Sequence, residues 1–331
     1  MKLLATLAAV AAALLIAIQG GRAETMSARL AQNLGPISGI VLVAEQQGLF
    51  AKHGLTITVS NFTNGKQCLD TVVGGGADIA TTAEAPTTAA MMADQPIAFL
   101  ARMEYSDDKT LVATAAKIDT IADLKGKRIG FTPGTGSEIY TTTLLQRAHL
   151  APTDVTLVNL RPQDMVAALA AGSIDAYDTW EPYISNGIKV LGAKVKPLDT
   201  KGVYSETFNI VVTQDYLRAH PKLIEAFLAS MIEAETWIKA NQEAAITVIA
   251  KTVGMKRDDL APIWHDYVYH VALDQKQLDV LDMHAKWRLA TNNHPPGATM
   301  PDLKKFIFPQ PLLDVAPDRV TLPAGWTVAH K

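Results

Sequence analysis

The sequence predicts an α/β protein built from two lobes of similar fold. Short apolar runs alternate with amphipathic segments along most of the chain, which is the pattern of strands followed by helices. A short motif also occurs twice, at residues 76–86 and 172–182. The length of 331 residues is too great for one ordinary compact domain and suits two. We therefore expect two α/β units within a single chain.

The first 23 residues have the pattern of a secretory signal peptide. Lys2 supplies the positive charge, residues 3–18 form the apolar run, and Gly21 and Ala23 are small residues that suit a cleavage site. An N-terminal membrane anchor is the alternative, but the run is shorter than the roughly 20 residues that a span needs. Cleavage after Ala23 would leave about 308 residues and move the net charge from −3 to −5. We therefore expect a periplasmic protein.

The apolar and amphipathic segments then follow in order. The predicted strands lie at 27–32, 56–59, 79–82, 97–102, 110–113, 128–131, 155–159, 176–179 and 208–213. The predicted helices between them lie at 38–47, 66–73, 86–94, 137–149 and 162–171. From Pro221 onward the pattern is mostly helical, and the proline-rich tail after Pro309 is expected to wrap a surface.

The repeated motif is the most informative feature of the sequence. In each copy an aspartate, Asp78 or Asp175, precedes a short strand, and a glutamate, Glu84 or Glu181, follows six residues later. A proline then opens the next helix. Ligands of open α/β sheets bind where strands lead into helices, so we expect the two loops to face each other across a cleft. The alternative is a chance similarity between two ordinary turns.

A glycine-rich loop follows the predicted strand at 128–131. Its backbone N–H groups and hydroxyls belong to Gly134, Thr135, Gly136 and Ser137. Together with the positive end of the next helix, these donors could bind a cluster of anionic oxygens. The loop lacks the lysine of a P-loop and the third glycine of a dinucleotide fingerprint. The alternative is a purely structural capping box between Thr135 and Glu138, and the loop can both cap the helix and bind a ligand.

The composition limits the function classes. Hydrophobic residues make up 48% of the chain and charged residues 19%, which excludes wholesale disorder. The net charge gives no sign of a basic face for nucleic acid. The single cysteine, Cys68, cannot form an internal disulfide or a cysteine-based zinc site, and His265 and His270 are poorly spaced for a metal. We expect no nucleic-acid partner, no metal and no cofactor.

In their order, these motifs resemble periplasmic substrate-binding proteins of the nitrate/sulfonate/taurine (NitT/TauT) family of ABC importers. The resemblance rests on the stretches 43–55, 76–80, 124–130, 134–137, 168–176 and 180–182, and it runs from about residue 28 to 215. It implies a type II periplasmic-binding-protein fold with a two-crossing hinge. The implied first lobe comprises 24–109 and 207–331, and the implied second lobe comprises 110–206.

The resemblance also implies the ligand contacts and the partners. The contacts would come from Asn33, Gly35, Pro36, Thr82, Glu84, Gly134, Thr135, Gly136, Ser137, Trp180, Glu181, Glu206 and Asn209. The ligand would lie between the lobes, and lobe closure would present a docking surface to an ABC permease in the inner membrane. We expect a monomer.

The predicted site suggests the ligand chemistry. The loop at 134–137 suits a sulfonate or carboxylate, Trp180 offers an apolar wall, and Glu84 and Glu181 would pair with an amine. A small zwitterion such as taurine satisfies all three features. If the two glutamates only cap helices, an alkylsulfonate is the alternative ligand. A binder of an aromatic acid or a pyrimidine, and a ligand-sensing subunit of the same fold, are further alternatives.

An enzyme is the competing class. Thiamine-pyrimidine synthesis proteins of the same broad family carry a cysteine-rich motif and a reactive histidine, and the lone Cys68 argues against that activity. Ser137 is not part of a GxSxG nucleophile elbow and has no histidine near it in sequence. We therefore expect a binding protein.

Overall fold

The structure is a computed structural model that describes residues 26–326. The predicted signal peptide at 1–23 and its cleavage site after Ala23 lie outside the described residues. Within 26–326, no helix is both long and apolar enough to cross a membrane. Two β-sheets with helices packed against them organise this part of the chain.

The strands confirm the predicted α/β pattern, since all nine expected runs form strands. The strands are β1 (Met26–Asn33), β2 (Leu55–Phe62), β3 (Ile79–Ala83), β4 (Ile97–Asp107), β5 (Lys109–Ala113), β6 (Arg128–Phe131), β7 (Thr156–Asn159), β8 (Ala176–Thr179), β9 (Val195–Pro197), β10 (Ser205–Thr213), β11 (Val268–Asp274) and β12 (Val320–Thr321). The seven-stranded sheet has the order β12-β11-β4-β10-β3-β1-β2, and the five-stranded sheet has the order β7-β6-β8-β5-β9.

Helices connect most of these strands. The α-helices are α1 (Gly39–Gln46), α2 (Leu49–Lys52), α3 (Gly65–Val73), α4 (Glu84–Met92), α5 (Gly136–Arg147), α6 (Met165–Ala170), α7 (Tyr183–Leu191), α8 (Gln214–Ala219), α9 (Pro221–Ala240), α10 (Gln242–Thr252), α11 (Arg257–Leu260), α12 (Gln275–Ala290) and α13 (Gln310–Val315). The last third of the chain is mostly helical, as expected, but β11 is an additional strand that pairs antiparallel with β4.

The long helix α9 shows how the apolar pattern builds the larger core. Its buried residues include Leu223, Phe227, Met231 and Ile238, whose spacing of mostly four places them on one helical face. Phe227 stacks on Phe50 of α2 with ring centroids 5.4 Å apart. Burial of one such side chain contributes about 1.5–3 kcal/mol.

The chain passes twice between the two sheets. Asp108 alone separates β4 of the seven-stranded sheet from β5 of the five-stranded sheet, and the chain returns between β9 and β10. Contacts also bridge the sheets elsewhere, because Ala85 of α4 and Trp287 of α12 pack against the core of the five-stranded sheet. These crossings bring the two halves of the predicted site together.

Candidate functional site

A small cavity of about 10 Å³ lies between the two sheets, which is roughly the room that one water molecule needs. Both sides of the molecule contribute to its wall. It is lined by Asn33, Ile37, Asn64, Gly65, Lys66, Ala83, Pro86, Thr135, Trp180, Glu206 and Phe208. Ala83 and Pro86 belong to the first copy of the repeated motif and Trp180 to the second. The two loops therefore meet at this cavity.

A larger cavity of about 380 Å³ adjoins the first and shares its residues Asn33, Ile37 and Trp180. Gly35 and Glu181 also line it. Trp180 is only 6% exposed and meets Tyr183 edge to face, with ring centroids 6.1 Å apart. Its indole is thus a firmly held wall common to both spaces.

The predicted site residues fall into two groups. Those that line one or both cavities are Asn33, Gly35, Thr135, Trp180, Glu181 and Glu206. Those that line neither of these two cavities are Pro36, Thr82, Glu84, Gly134, Gly136, Ser137 and Asn209. The structure therefore brings together predicted residues from the first strand and the loop after it, the second copy of the motif, the glycine-rich loop and the second crossing, but neither predicted residue of the first copy.

The hydroxyls of the glycine-rich loop are already used within the protein. Thr135 donates its hydroxyl to the carbonyl oxygen of Thr132 at 2.7 Å. The Ser137 hydroxyl accepts from the Thr132 N–H at 3.0 Å and donates to the Asp178 carbonyl oxygen at 2.7 Å. The predicted capping box is not formed, because the Thr135 side chain makes no cap bond and Glu138 accepts from the Gly134 N–H, at 2.8 Å, instead of from Thr135. Any ligand would therefore depend on the backbone at the start of α5.

A second helix start, which sequence reasoning missed, faces the same cavity. Asn64 caps α3 by accepting from the Gln67 N–H at 3.1 Å. Gly65 must lack a side chain, because a Cβ there would lie 2.9 Å from the Ala83 backbone nitrogen. Lys66 bonds Asp70 at 2.6 Å, and its methylene chain lies over Gly134. An asparagine before the predicted helix at 66–73 was the available signal.

The two glutamates of the repeated motif are engaged by the protein itself. Glu84 is fully buried and accepts from the backbone N–H and the hydroxyl of Thr207 at 2.7 and 2.9 Å. Glu181 accepts from the Ser185 N–H of α7 at 3.0 Å and from Lys109 at 3.2 Å. Glu181 therefore caps a helix, as the alternative reading of the motif supposed. Glu84 instead contacts the strand that follows the second crossing between the sheets.

A group of buried carboxyls surrounds the crossings: Glu84, Glu104, Asp108 and Glu206 are each at most 4% exposed. Burial raises the pKa of Glu84 to about 7. Burial, together with the neighbouring carboxylates, raises the pKa values of the other three well above their ordinary range. Sequence reasoning missed Glu104 and Asp108, because only the crossing of two strands brings them beside Glu206.

Histidine does not neutralise this group. The ring nitrogen Nε2 of His284 lies 3.4 Å from Glu84, and both side chains are fully buried. Burial lowers the pKa of His284 to about 3, so its ring is uncharged at neutral pH. Glu206, whose carboxyl group lines the cavity, is thus surrounded by other carboxyl groups.

Comparisons of sequence identify related proteins. A profile described as NMT1/THI5 like matches residues 36–245. A putative aliphatic sulfonates-binding protein of Escherichia coli (strain K12) is 29% identical over 236 residues, which cover 70% of this chain and 72% of that protein. The taurine-binding periplasmic protein of the same strain is 26% identical over 230 residues, covering 66% of this chain and 71% of that protein.

Solved structures share the fold. The periplasmic aliphatic sulphonate binding protein SsuA from Escherichia coli matches with a TM-score of 0.72 and 24% identity, covering 85% of this chain and 92% of that one. The desulfurization enzyme DSZB matches with a TM-score of 0.66 and 17% identity, covering 88% and 99%. The predicted type II periplasmic-binding-protein fold is thereby confirmed. The fold alone does not separate binding from catalysis.

Proposed function

This chain belongs to the NMT1/THI5-like family, and on that premise we propose that it is the solute-binding component of an ABC importer. Its relatives include proteins named for binding aliphatic sulfonates and taurine. The observation that carries the proposal is the pair of adjoining cavities between the sheets, of about 10 and 380 Å³, whose walls are shared by residues of both sheets. Such a site closes around a ligand when two lobes approach.

The ligand class follows from the wall of the cavity. The starts of α3 and α5 both reach it, and helix starts carry partial positive charge and free backbone N–H groups. Lys66, whose ammonium group pairs with Asp70, also lies at the rim and offers a positive group that an anion could contact. We assign a small organic anion or zwitterion, with its sulfonate or carboxylate end between these helix starts and its carbon chain against Trp180.

Export and transport complete the proposal. The relatives are periplasmic binding proteins, and the first 23 residues of this chain have the pattern of a signal peptide. The proposed lobes comprise 24–109 with 207–331, and 110–206. After closure, the ligand-loaded chain would dock as a monomer on an ABC permease in the inner membrane. The same closing motion would serve a sensing subunit.

A binding role is also favoured over catalysis. Cys68 is fully buried in α3, where its thiol donates to the Asn64 carbonyl oxygen at 3.5 Å. Burial raises the pKa of this thiol far above its ordinary value, which disfavours a thiolate nucleophile. Ser137 donates its hydroxyl to a backbone oxygen rather than to a base. Neither residue is placed to attack a substrate in the cavity.

Calorimetric titration tests this function. Taurine, an alkanesulfonate, an aromatic acid and an aminopyrimidine would be titrated into the mature chain, and we expect heat from taurine or the sulfonate. Lys66→Ala should weaken that binding about tenfold, because a charged partner of the anion is lost. Lys222→Ala is the matched control, since Lys222 pairs with Glu225 on α9 away from the cavity. Absence of heat from all four compounds would reject the proposal.

A further inference from the structure

The charge balance around Glu206 sets it apart from the other predicted ligand contacts. Its carboxylate lines the cavity and is 4% exposed. Among the described residues, no side chain forms a hydrogen bond or an ion pair with it. Asp108 next to it is 2% exposed, and neither of its carboxylate oxygens has a hydrogen-bond partner. A buried carboxylate without a partner is costly, and burial accordingly favours the protonated form of both groups, so a cation must lie close by before either becomes charged.

Each basic side chain near this pair is already engaged elsewhere. Arg102 bonds Asp274 at 2.9 Å. Lys109 bonds both Asp266 and Glu181, at 2.6 and 3.2 Å.

Lys66, the one lysine that lines the cavity, bonds Asp70. The other neighbours, Glu84 and Glu104, are themselves carboxyls, and Asp178 adds a further one near Asp108. No described basic group is therefore left to neutralise Glu206 and Asp108.

The geometry suits a single cationic nitrogen. The position that a Cβ of Gly136 would take lies 3.0 Å from Oε1 of Glu206 and 3.1 Å from Oδ2 of Asp108. These two oxygens are therefore at most about 6 Å apart, so one ammonium nitrogen could lie within about 3 Å of each. Gly136 begins α5 on the facing side of the cleft. A slight withdrawal of that helix start would open the place to a ligand.

We propose that Glu206 and Asp108 form the recognition site for a protonated amine, so that the chain selects an amino-sulfonate or amino acid over a plain alkanesulfonate. This inference rests on the proposed function. It moves the amine contact from Glu84, whose Oε2 is held by Thr207, and from Glu181, whose oxygens are held by Ser185 and Lys109, to the two crossings between the sheets. The anionic end would remain between the starts of α3 and α5.

The site predicts a preference that two matched compounds reveal. Taurine and 1-propanesulfonate share the sulfonate and the chain length, but one ends in an ammonium and the other in a methyl group. Calorimetry on the mature chain near pH 7.5 should show taurine binding at least about tenfold more tightly, as expected for a charge-assisted hydrogen bond. Glu206→Gln should reduce this preference to about threefold or less, and Glu233→Gln on α9 should leave it unchanged.

The outcomes separate this inference from the proposed function. Equal binding of the two sulfonates, or a preference that survives both Glu206→Gln and Asp108→Asn, would overturn the amine site and leave the importer role intact. Loss of the preference in Glu181→Gln alone would also overturn it. Binding of neither compound would reject the proposed function for this ligand class, and the amine site with it. If Glu206→Gln fails to fold by circular dichroism, Asp108→Asn carries the same test.

Discussion

The two copies of the repeated motif agree at the aspartate. Asp78 accepts from the backbone N–H of Arg29 at 2.7 Å and from its guanidinium at 2.6 Å. Asp175 accepts from the backbone N–H of Arg128 at 2.9 Å and from its guanidinium at 2.7 Å. In each sheet, the turn before one strand is thus fastened to the neighbouring parallel strand. The repeat is a structural device at this position.

The same two copies differ at the glutamate. Glu84 turns toward β10 and is held by Thr207, whereas Glu181 caps α7 through Ser185 and pairs with Lys109. Each glutamate occupies the equivalent place in sequence, six residues after its aspartate. The difference teaches that equal motif positions give neither the same helix start nor the same side-chain partners, since Glu84 begins α4 whereas Glu181 precedes α7 by two residues. The partners come from elements outside the motif.

The largest expected effect concerns two buried carboxyl groups, one in each copy of the motif. Burial raises the pKa of Glu84 and of Asp178 to about 7 each. Between about pH 4 and 7 the folded carboxyl keeps a proton that the unfolded chain has lost, so stability falls as the pH rises. Each carboxyl should lower the free energy of unfolding by on the order of 3 kcal/mol between pH 4 and 7.

Urea denaturation from pH 4 to 8 measures this loss. Glu84→Gln and Asp178→Asn should each flatten the fall in stability, whereas Asp215→Asn on the exposed start of α8 should leave its slope unchanged. A slope identical to that of the parent chain in both variants would contradict the buried, protonated state of these carboxyls.

A smaller effect compares two tyrosines that pack on helical glycines. Tyr269 lies against Gly39 of α1, and Tyr177 lies against Gly187 of α7; each hydroxyl also donates to a backbone oxygen. Gly39→Ala and Gly187→Ala should each lower the free energy of unfolding by about 2 kcal/mol through overpacking. Thermal denaturation checks both.

Double variants sharpen this comparison. An alanine methyl at 39 would lie 2.5 Å from the ring carbon Cζ of Tyr269, whereas the same ring carbon of Tyr177 lies 3.3 Å from a methyl at 187. Tyr177→Phe should therefore partly rescue Gly187→Ala, because it removes the clashing hydroxyl. Tyr269→Phe should not rescue Gly39→Ala, and equal rescue in both regions would show that ring contacts are unimportant.

The smallest expected effect tests whether the two aspartates of the motif, Asp78 and Asp175, play the same role. Asp78→Ala and Asp175→Ala each remove the partner of an arginine and of its backbone N–H. We expect each to lower the free energy of unfolding by about 1 kcal/mol, since both pairs are partly exposed. Chemical denaturation should give equal losses within error. A loss confined to one variant would show that the two turns are not equivalent.

Much of the fold could be predicted because its signals are local. The apolar runs located nine strands, and the repeat located the two turns that meet at the cavity. The short strands β9 and β12 and the late strand β11 were missed, since β11 owes its conformation to pairing with β4 across more than a hundred residues of sequence. Local propensity does not contain such a contact.

The site was predictable only in part, for a related reason. Asn33, Thr135 and Trp180 follow strands or open helices, so chain order placed them near the cleft. Lys66 was not among the predicted contacts, because no local pattern shows that its side chain lies over Gly134. Glu84 was expected at the ligand, but Thr207 holds it, and that partner arrives from another strand.

The sequence by itself determined the order of elements, the two-fold repeat and the class of fold, because periodicity and turn residues act over a few positions. Only the tertiary structure decided which charges are left without a partner. Glu206 and Asp108 lie about a hundred residues apart, and the two crossings between the sheets bring them together. Burial and the pairing of every nearby basic group, which no local pattern specifies, then give that pair its chemistry.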